Sequence, residues 1–355
     1  MQVIQSKNVN DALRKGLDLL EIDGDYRDSR AGRVLEASTP VTTTFQNPNE
    51  RVLFSPERDA HPFFHFIESL WMLSGAKDVE TVAFYVKRME TFSDDGETLW
   101  GAYGHRWRSY FHKDQIKMII EALQRNPDDR RCVLQMWDAN KDLGKAGLDV
   151  PCNTNIYFKI RDNKLFMTVC CRSNDIIWGA YGANAVHMSM LQEFIAGAVG
   201  VELGEYSQIS DSYHAYQEVY ENLREQMPNQ DYYAYKYPLL GYNNEYELDH
   251  INSYPIISVD YNTWLNELDM FMYELKRYKH KAYKLEAHAG FQEPFFREVA
   301  IPIAKSYALY KDGNIDLAIK ETQTIKATDW SLACDLWLHR RKETKESHKD
   351  IEAVL

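Results

Sequence analysis

The sequence contains little of what marks several large protein classes. Its 355 residues include only 17 glycines and 11 prolines, so collagen-like and low-complexity segments are not indicated. No apolar run approaches the roughly 20 residues that span a bilayer. The first residues also lack an apolar core followed by a small-residue cleavage site. We therefore expect a cytoplasmic protein with no signal peptide and no membrane contact.

Cysteine pairs and positive charge are also scarce. The five cysteines form no Cys-x-x-Cys pair, which favours reduced thiols over a disulfide framework. The formal charge of −12 argues against a nucleic-acid partner, because phosphate backbones are bound by an excess of lysine and arginine. Any bound phosphate would have to lie in a local arginine pocket, which suits a free nucleotide better than DNA.

Metal-binding and dinucleotide-binding patterns are missing from the sequence. It has no His-Glu-x-x-His motif and no glycine-rich strand-to-helix turn. His61 and His65 are four residues apart, but the phenylalanines beside them favour ordinary packing on a helix. We expect no metal cofactor.

Apolar periodicity predicts an α+β fold, because helical and strand patterns alternate along the chain. Helical spacing covers residues 10–20, 62–73, 116–123 and 184–199, whereas residues 131–137, 155–160 and 165–171 have the pattern of strands. Asp162 and Asn163 are a turn pair that joins the last two strands into a hairpin. Residues 25–33 are interpreted as a polar loop that contains several arginines.

The signal becomes purely helical near the C-terminus. A single apolar stripe is predicted for Trp264, Leu268, Phe271, Leu275 and Tyr278. We therefore divide the chain into a catalytic domain, residues 1–255, and a helical C-terminal extension, residues 256–355.

The strongest chemical signal lies around Cys152. This residue follows Pro151 and precedes, after the predicted hairpin, the run from Cys171 to Asp175 that contains Arg172. Gly179, Asn184, His214 and Tyr216 then follow in that order. Taken alone, Cys152 is as consistent with a small buried apolar residue as with a nucleophile.

These residues, in this order, resemble the motifs of the thymidylate synthases. That family carries a Pro-Cys nucleophile, then Arg-Ser-x-Asp, a glycine and an asparagine, and an Asp…His-x-Tyr pattern. Upstream segments at residues 30–32, 68–71, 103–107 and 128–131 agree with the family in order and approximate spacing. The resemblance covers about residues 10–220 and implies a mixed, largely antiparallel sheet flanked by helices.

The resemblance implies a folate-dependent one-carbon transfer to C5 of a pyrimidine nucleotide. Cys152 would add to C6, for which a thiolate is a suitable nucleophile, and Arg172 would favour the thiolate form. Glu68 would relay protons to O4 through water, and Tyr103 would help to remove the C5 proton. The implied co-substrate is 5,10-methylenetetrahydrofolate, which Asp175 would contact.

The resemblance also implies how a pyrimidine nucleoside monophosphate is held. Its phosphate would be bound by Arg30, Arg130, Arg131, Arg172 and Ser173, since guanidinium pairs suit a phosphate dianion. Arg130 and Arg131 would be donated across a homodimer interface, although their position also suits a solvated turn. His214 and Tyr216 would bind the sugar hydroxyl, and Asn184 would bind the pyrimidine edge.

Several departures from the family pattern affect the substrate site. Asn153 replaces the histidine that usually follows the nucleophile, and Cys171 replaces the usual glutamine. One extra residue precedes Asn184; alternatively, Ala183 occupies the recognition position and Asn184 caps the next helix.

The segment 87–96 lacks the tryptophan that packs over the reactive intermediate in thymidylate synthases. Admitting water to an exocyclic methylene at C5 gives a hydroxymethyl group, whereas excluding water allows hydride transfer and a methyl group. We therefore predict a hydroxymethylase of the type found in phages and antibiotic pathways, which would act in a host cytoplasm if phage-encoded. The alternatives are a thymidylate synthase, a nucleotide-binding relative without activity, or a dCMP or CMP rather than dUMP substrate.

Overall fold

An eight-stranded mixed sheet forms the centre of the computed structural model, which describes residues 1–227, 245–279 and 290–354, with side chains to residue 344. The strands are β1 (Gln2–Ser6), β2 (Gly24–Ser29), β3 (Gly32–Ala37), β4 (Val41–Phe45), β5 (Val133–Gln135), β6 (Asn153–Arg161), β7 (Lys164–Asp175) and β8 (Glu202–Tyr216). The main path runs β1-β4-β8-β7-β6-β5, and the β2–β3 hairpin attaches to the end of β8.

The helices surround this sheet and confirm the α+β prediction. They are α1 (Val9–Asp23), α2 (Pro62–Leu73), α3 (Val79–Tyr85), α4 (Tyr103–His105), α5 (Gln115–Arg125), α6 (Asn184–Val199), α7 (Gln217–Gln226), α8 (Tyr261–Lys279), α9 (Ile301–Lys311), α10 (Ile315–Thr322) and α11 (Thr328–Val354). Within the described ranges, no helix is both long and apolar enough to cross a bilayer.

Local sequence explains several of the predicted boundaries. Pro62 occupies the first turn of α2, where its missing N–H costs nothing. Gly200 ends α6 at φ 86°, a left-handed conformation that favours glycine. Asp162 and Asn163 both have positive φ, 48° and 58°, as the tight turn between β6 and β7 requires. These elements confirm the corresponding predictions.

The strands β1 and β4 were not predicted, and two further parts of the sheet differ from the sequence prediction. Residues 25–33, interpreted as a loop, form most of the β2–β3 hairpin, and Arg30 lies at its tip. The second difference is β8, a 15-residue strand that the periodicity did not reveal. Its inward side chains include Gln208 and Ser210, which are polar yet buried, so the usual apolar alternation is broken.

The C-terminal helices pack against α2. The Phe66 ring lies 5.1 Å from that of Trp330, and the Phe63 ring lies 5.6 Å from that of Trp337, centroid to centroid. In the predicted stripe of α8, Trp264, Leu268, Phe271 and Leu275 are buried, while Tyr278 is half-buried. The division near residue 255 stays a prediction. What the packing establishes is that α2 is held between α6 and the C-terminal helices.

Candidate active site

Cys152 lies immediately before β6 and is fixed by hydrogen bonds on both sides. Its backbone N–H donates to the Tyr103 hydroxyl at 3.1 Å, and the Asn153 N–H donates to the same oxygen at 3.1 Å. On the other side, the Arg172 guanidinium lies 3.7 Å from Cys152 Sγ and donates to the carbonyls of Pro151 and Val150. The half-buried thiol is therefore held in one place between a phenol and a cation.

Opposing effects set the pKa of the Cys152 thiol. Burial raises this pKa above its usual value, while the positive charges of Arg172 and Arg30 oppose the rise. Cys171 is the neighbouring thiol; burial raises its pKa much further, and its Sγ–H donates to the Ser173 carbonyl at 3.1 Å. Of the two thiols, Cys152 is therefore the better placed to become a thiolate.

A cleft of about 480 Å³ opens beside the thiol and is referred to here as the phosphate cleft. Its lining includes Arg30, Arg172, Trp137, Lys145 and Val150. Arg30 and Arg172 are both exposed, and the Arg172 guanidinium lies 5.7 Å from the centroid of the Trp137 ring. Two of the predicted phosphate ligands thus meet in one place, and Ser173 is half-buried next to Arg172 on β7.

Arg130 and Arg131 lie outside the phosphate cleft of their own chain. Both are exposed in the turn before β5, and Arg131 forms an ion pair with Asp129 at 2.8 Å. Neither residue is among those that line the cleft. The single chain leaves open their predicted role across a dimer interface.

Asn184 belongs to a buried chain of side-chain amides. Asn153 Nδ2 donates to Asn184 Oδ1 at 3.2 Å, and Asn184 Nδ2 donates to Asn174 Oδ1 at 3.1 Å. Asn174 Nδ2 donates in turn to Gln208 Oε1 at 3.5 Å and to Ser210 Oγ at 2.9 Å. We call Asn153, Asn184, Asn174 and Gln208 the amide network.

The extra residue before Asn184 is absorbed by a segment that is wound more loosely than an α-helix. Residues Ile176–Ala183 form a π-helix, the usual way in which one inserted residue is accommodated in a helix. The helix α6 then begins at Asn184, whose side chain makes no capping hydrogen bond. Asn184 therefore points into the site rather than capping the helix, and Ala183 has no polar group to offer.

Glu68 is a buried carboxylate with an unforeseen neighbour. Its Oε2 lies 3.0 Å from Nε2 of His187, and both side chains are more than nine-tenths buried. His187 lies one turn after Asn184 on α6, so it faces the same side of that helix. A histidine on an otherwise apolar stretch was the available signal, and the sequence reasoning did not use it.

Tyr103 and Asp149 are two further titratable residues whose pKa values are raised by burial. Burial, together with the neighbouring Cys152 and Cys171, raises the pKa of the Tyr103 phenol well above its usual value, so it stays protonated. Asp149 accepts from the Gly101 N–H at 2.7 Å, and burial raises the pKa of its carboxyl. The Glu68 carboxylate contributes to the raised pKa of Asp149, and Asp149 contributes to the raised pKa of the Cys152 thiol, so the three groups interact electrostatically.

Asp175, His214 and Tyr216 are brought together where β7 and β8 end. Asp175 pairs with His214 across the two strands, and its Oδ2 accepts from the Tyr216 N–H at 3.3 Å. Burial is the main cause of the raised pKa of the Tyr216 phenol. The charges of Asp175 and Cys152 raise this pKa further, while those of Arg30 and, unexpectedly, Arg88 lower it. The predicted sugar and folate ligands therefore lie beside one another, and the Tyr216 phenol interacts electrostatically with Cys152.

A thymidylate synthase family model matches residues 22–273 of the sequence. The match covers more than half of the chain and includes every predicted site residue. The chain belongs to the thymidylate synthase family.

Individual relatives of this thymidylate synthase family member refine the comparison. A deoxyuridylate hydroxymethyltransferase of Pseudomonas phage M6 is 48% identical over 98% of this chain and 97% of its own length. The corresponding protein of Bacillus phage SP01 is 38% identical over 56% of this chain and 54% of its own. A putative thymidylate synthase of Methanosarcina acetivorans is 31% identical over 61% of this chain and 89% of its own.

The thymidylate synthase site has no obvious place for a metal ion. Within residues 1–227, 245–279 and 290–344, no group of three histidine, cysteine or carboxylate side chains is arranged to hold one. His61 instead accepts from the Phe64 N–H at the start of α2, and its ring lies 4.5 Å from that of Trp337.

Proposed function

We propose that this protein transfers a one-carbon unit from 5,10-methylenetetrahydrofolate to C5 of dUMP and releases 5-hydroxymethyl-dUMP. The observation that carries the proposal is the similarity to the Pseudomonas phage M6 deoxyuridylate hydroxymethyltransferase, which extends over nearly the whole of both chains. The site described above supplies the groups that this reaction needs.

Cys152 starts the reaction by adding its sulfur to C6 of the pyrimidine. The S–C6 bond forms as the ring electrons move towards O4, so negative charge develops on that oxygen. Arg172, 3.7 Å from the sulfur, favours the thiolate in the free protein. The amide of Asn184 would bind the pyrimidine edge while this charge develops.

Proton transfers are assigned to Glu68 and Tyr103. Glu68 exchanges a proton with O4 through water, and His187 Nε2 lies 3.0 Å from its carboxylate. Tyr103, which is protonated and bound to the backbone on both sides of the nucleophile, positions the water that takes the C5 proton.

The substrate phosphate is assigned to Arg30, Arg172 and Ser173 in the phosphate cleft. Arg130 and Arg131 of a partner subunit would add two more cations, which makes the site complete only in a homodimer. His214 and Tyr216 bind the sugar hydroxyl.

The residues around Asp175 fit a folate. The Trp178 side chain is 50% exposed beside Asp175, and the Arg58 guanidinium lies 4.2 Å from the ring centroid and supports it from behind. An exposed aromatic face next to a carboxylate suits a flat ring system that carries N–H donors. When bound, methylenetetrahydrofolate would supply the one-carbon group: C5 would bond to its methylene carbon, and tetrahydrofolate would leave unoxidised as the C5 proton is removed.

The absence of a shielding tryptophan supports the hydroxymethyl product. Residues Lys87–Phe92 form a short 3₁₀ helix, none of whose side chains is buried. Water can therefore reach the exocyclic carbon at C5, where it adds its oxygen and releases a proton. Elimination of Cys152 from C6 then frees the product.

The test is the mass of the nucleotide product. Purified protein is incubated with methylenetetrahydrofolate and dUMP, dCMP or CMP, and the nucleotides are weighed by mass spectrometry. We expect dUMP to gain CH2O without oxidation of tetrahydrofolate. A gain of CH2 with formation of dihydrofolate would instead identify a thymidylate synthase. No product from any nucleotide would identify a binding protein and contradict the proposal.

A further inference from the structure

The amide network has a direction that one backbone group determines. Gln208 Nε2 donates to the Ala180 carbonyl at 3.2 Å, and this carbonyl can only accept. Turning the Gln208 amide over would place two oxygens against each other in a buried site. The Tyr206 hydroxyl donates to Gln208 Oε1 at 3.1 Å, but a hydroxyl could equally accept from a reversed amide, so the Ala180 carbonyl alone sets the direction.

The orientation of the Gln208 amide determines that of the next amides in the network, Asn174 and Asn184. Because Gln208 presents its oxygen, Asn174 must present its NH2 group to Gln208 and its oxygen to Asn184. Asn184 then directs Nδ2 towards Asn174 and Oδ1 towards Asn153. Ser210 cannot set the direction, since a hydroxyl donates or accepts equally well.

The network is almost completely buried, so its direction is costly to reverse. Asn153, Asn174 and Gln208 are at most 2% exposed. A side chain at Gly179 would place its Cβ 2.9 Å from Asn174 Oδ1, so glycine leaves room for the Asn174–Asn184 pair. At this degree of burial, a reversed amide would leave donors facing donors and acceptors facing acceptors.

We propose that Gln208 and Asn174 are positioning residues that make the site select uracil over cytosine, an inference that rests on the proposed function. Each end of the Asn184 amide still has one unused hydrogen or lone pair, because an amide oxygen accepts twice and an NH2 group donates twice. Uracil presents an N3–H donor and an O4 acceptor, whereas cytosine presents the reverse. An amide of fixed direction fits one of these bases and opposes the other.

The test compares the binding of dUMP and dCMP by the full-length wild type and by Gln208→Met. Methionine keeps the length of the side chain and its burial but removes the link to the Ala180 carbonyl. We expect the ratio of the two dissociation constants to fall by about fivefold to tenfold, the effect of releasing one buried hydrogen-bonded orientation. The dCMP affinity should rise while the dUMP affinity falls.

Gln192→Met is the matched control. Gln192 is also fully buried and also donates to backbone carbonyls, at 2.8 Å to Leu165 and 3.0 Å to Gly204, but it has no contact with the amide network. It should lose stability to a similar degree while the ratio stays within about twofold of the wild-type value. If Gln208→Met does not fold by thermal melting, Asn174→Ala cuts the network at the next amide and should give the same shift.

The outcomes separate this inference from the proposed function. A folded Gln208→Met or Asn174→Ala variant with an unchanged ratio would overturn it, as would a wild type that binds dCMP as well as dUMP. Because binding is measured without folate, the ratio is informative even if the wild type forms no product. In that case the proposed function fails, and the dissociation constants alone decide the role of Gln208.

Discussion

The amide network and the phosphate cleft both adjoin Cys152, yet they are built in opposite ways. Asn153 and Gln208 are almost completely buried, and the hydrogen bonds of the network are made before any ligand arrives. Arg30 and Arg172 are exposed to solvent. Under the proposed function, the base would therefore meet a preorganised surface, whereas the phosphate would meet solvent-exposed charges.

This difference separates two kinds of energetic effect. Changes in the buried half should act on the chemical step and on base selection, because misplaced groups there cannot relax. Changes in the phosphate cleft should act mainly on substrate affinity, because exposed charges are screened and replaceable. The following predictions test this division.

The largest effect is expected at the nucleophile. Cys152→Ser should lower kcat by at least about a thousandfold, because a hydroxyl is a far weaker nucleophile at C6. Its dissociation constant for dUMP should change little, as measured by calorimetry. Cys170→Ser, on the same hairpin, is the control and should keep nearly full activity. Comparable losses in both variants would point to a folding defect.

Glu68→Gln should follow, with kcat reduced by about a hundredfold or more, the usual share of a proton-transfer group. The amide keeps the size of the side chain, so the α2 packing survives and the melting temperature should change little. His187→Ala should lower kcat by only about tenfold, since it orients Glu68 without touching substrate. Steady-state kinetics with dUMP measure both. A His187 variant as impaired as Glu68→Gln would mean that the histidine itself transfers protons.

Arg172→Ala should affect both the affinity for dUMP and the reactivity of the Cys152 thiol. We expect KM for dUMP to rise by about tenfold to a hundredfold through loss of a charged phosphate contact. Arg30→Ala, the exposed counterpart on the β2–β3 hairpin, should raise KM with little change in kcat.

The pH dependence of Cys152 alkylation tests whether Arg172 also acts on the thiol. Burial raises the pKa of Cys152, so the thiolate fraction, and with it the alkylation rate of Cys152 by iodoacetamide, should increase as the pH rises through the alkaline range. Arg172→Ala should move this profile to higher pH, because it removes the closest cation. Peptide mapping assigns the label to Cys152. An unchanged profile would show that Arg172 only binds phosphate.

The smallest effect concerns the partner subunit. Arg131→Ala should raise KM for dUMP by about fivefold, since the ligand contact is one among several. Mixing this variant with Cys152→Ser and allowing subunits to exchange should restore activity, because each mixed dimer contains one intact site. Activity, measured at dUMP concentrations far below KM, that never exceeds the value for Arg131→Ala alone would place Arg131 outside the site.

Much of the fold follows from local pattern. Residues of α2 and α6 repeat with helical period, and Asp162 and Asn163 have turn chemistry, so both kinds of element were predictable. The β2–β3 hairpin was not, because its exposed polar side chains give no alternation. The strand β8 was missed for the opposite reason. Its polar residues Gln208 and Ser210 are buried, where they form hydrogen bonds, whereas polar residues in a sequence pattern are normally read as exposed.

The candidate site divides in the same way. Cys152, Arg172 and Asp175 could be named because each lies in a short run of residues that matches a motif of a known family. His187, Asn174 and Gln208 could not, because their partners come from other elements and only the fold brings them together. The pairing of Glu68 with His187 joins α2 to α6, which are more than a hundred residues apart.

The measurement that tests the account most directly is covalent trapping with 5-fluoro-dUMP and methylenetetrahydrofolate. Fluorine cannot leave C5 as a cation, so the adduct should persist, and the mass of the intact protein should rise by that of nucleotide plus folate. Peptide mapping should place the adduct on Cys152. An adduct on Cys171, or none in protein that binds dUMP, would contradict the assignment of Cys152 as the nucleophile.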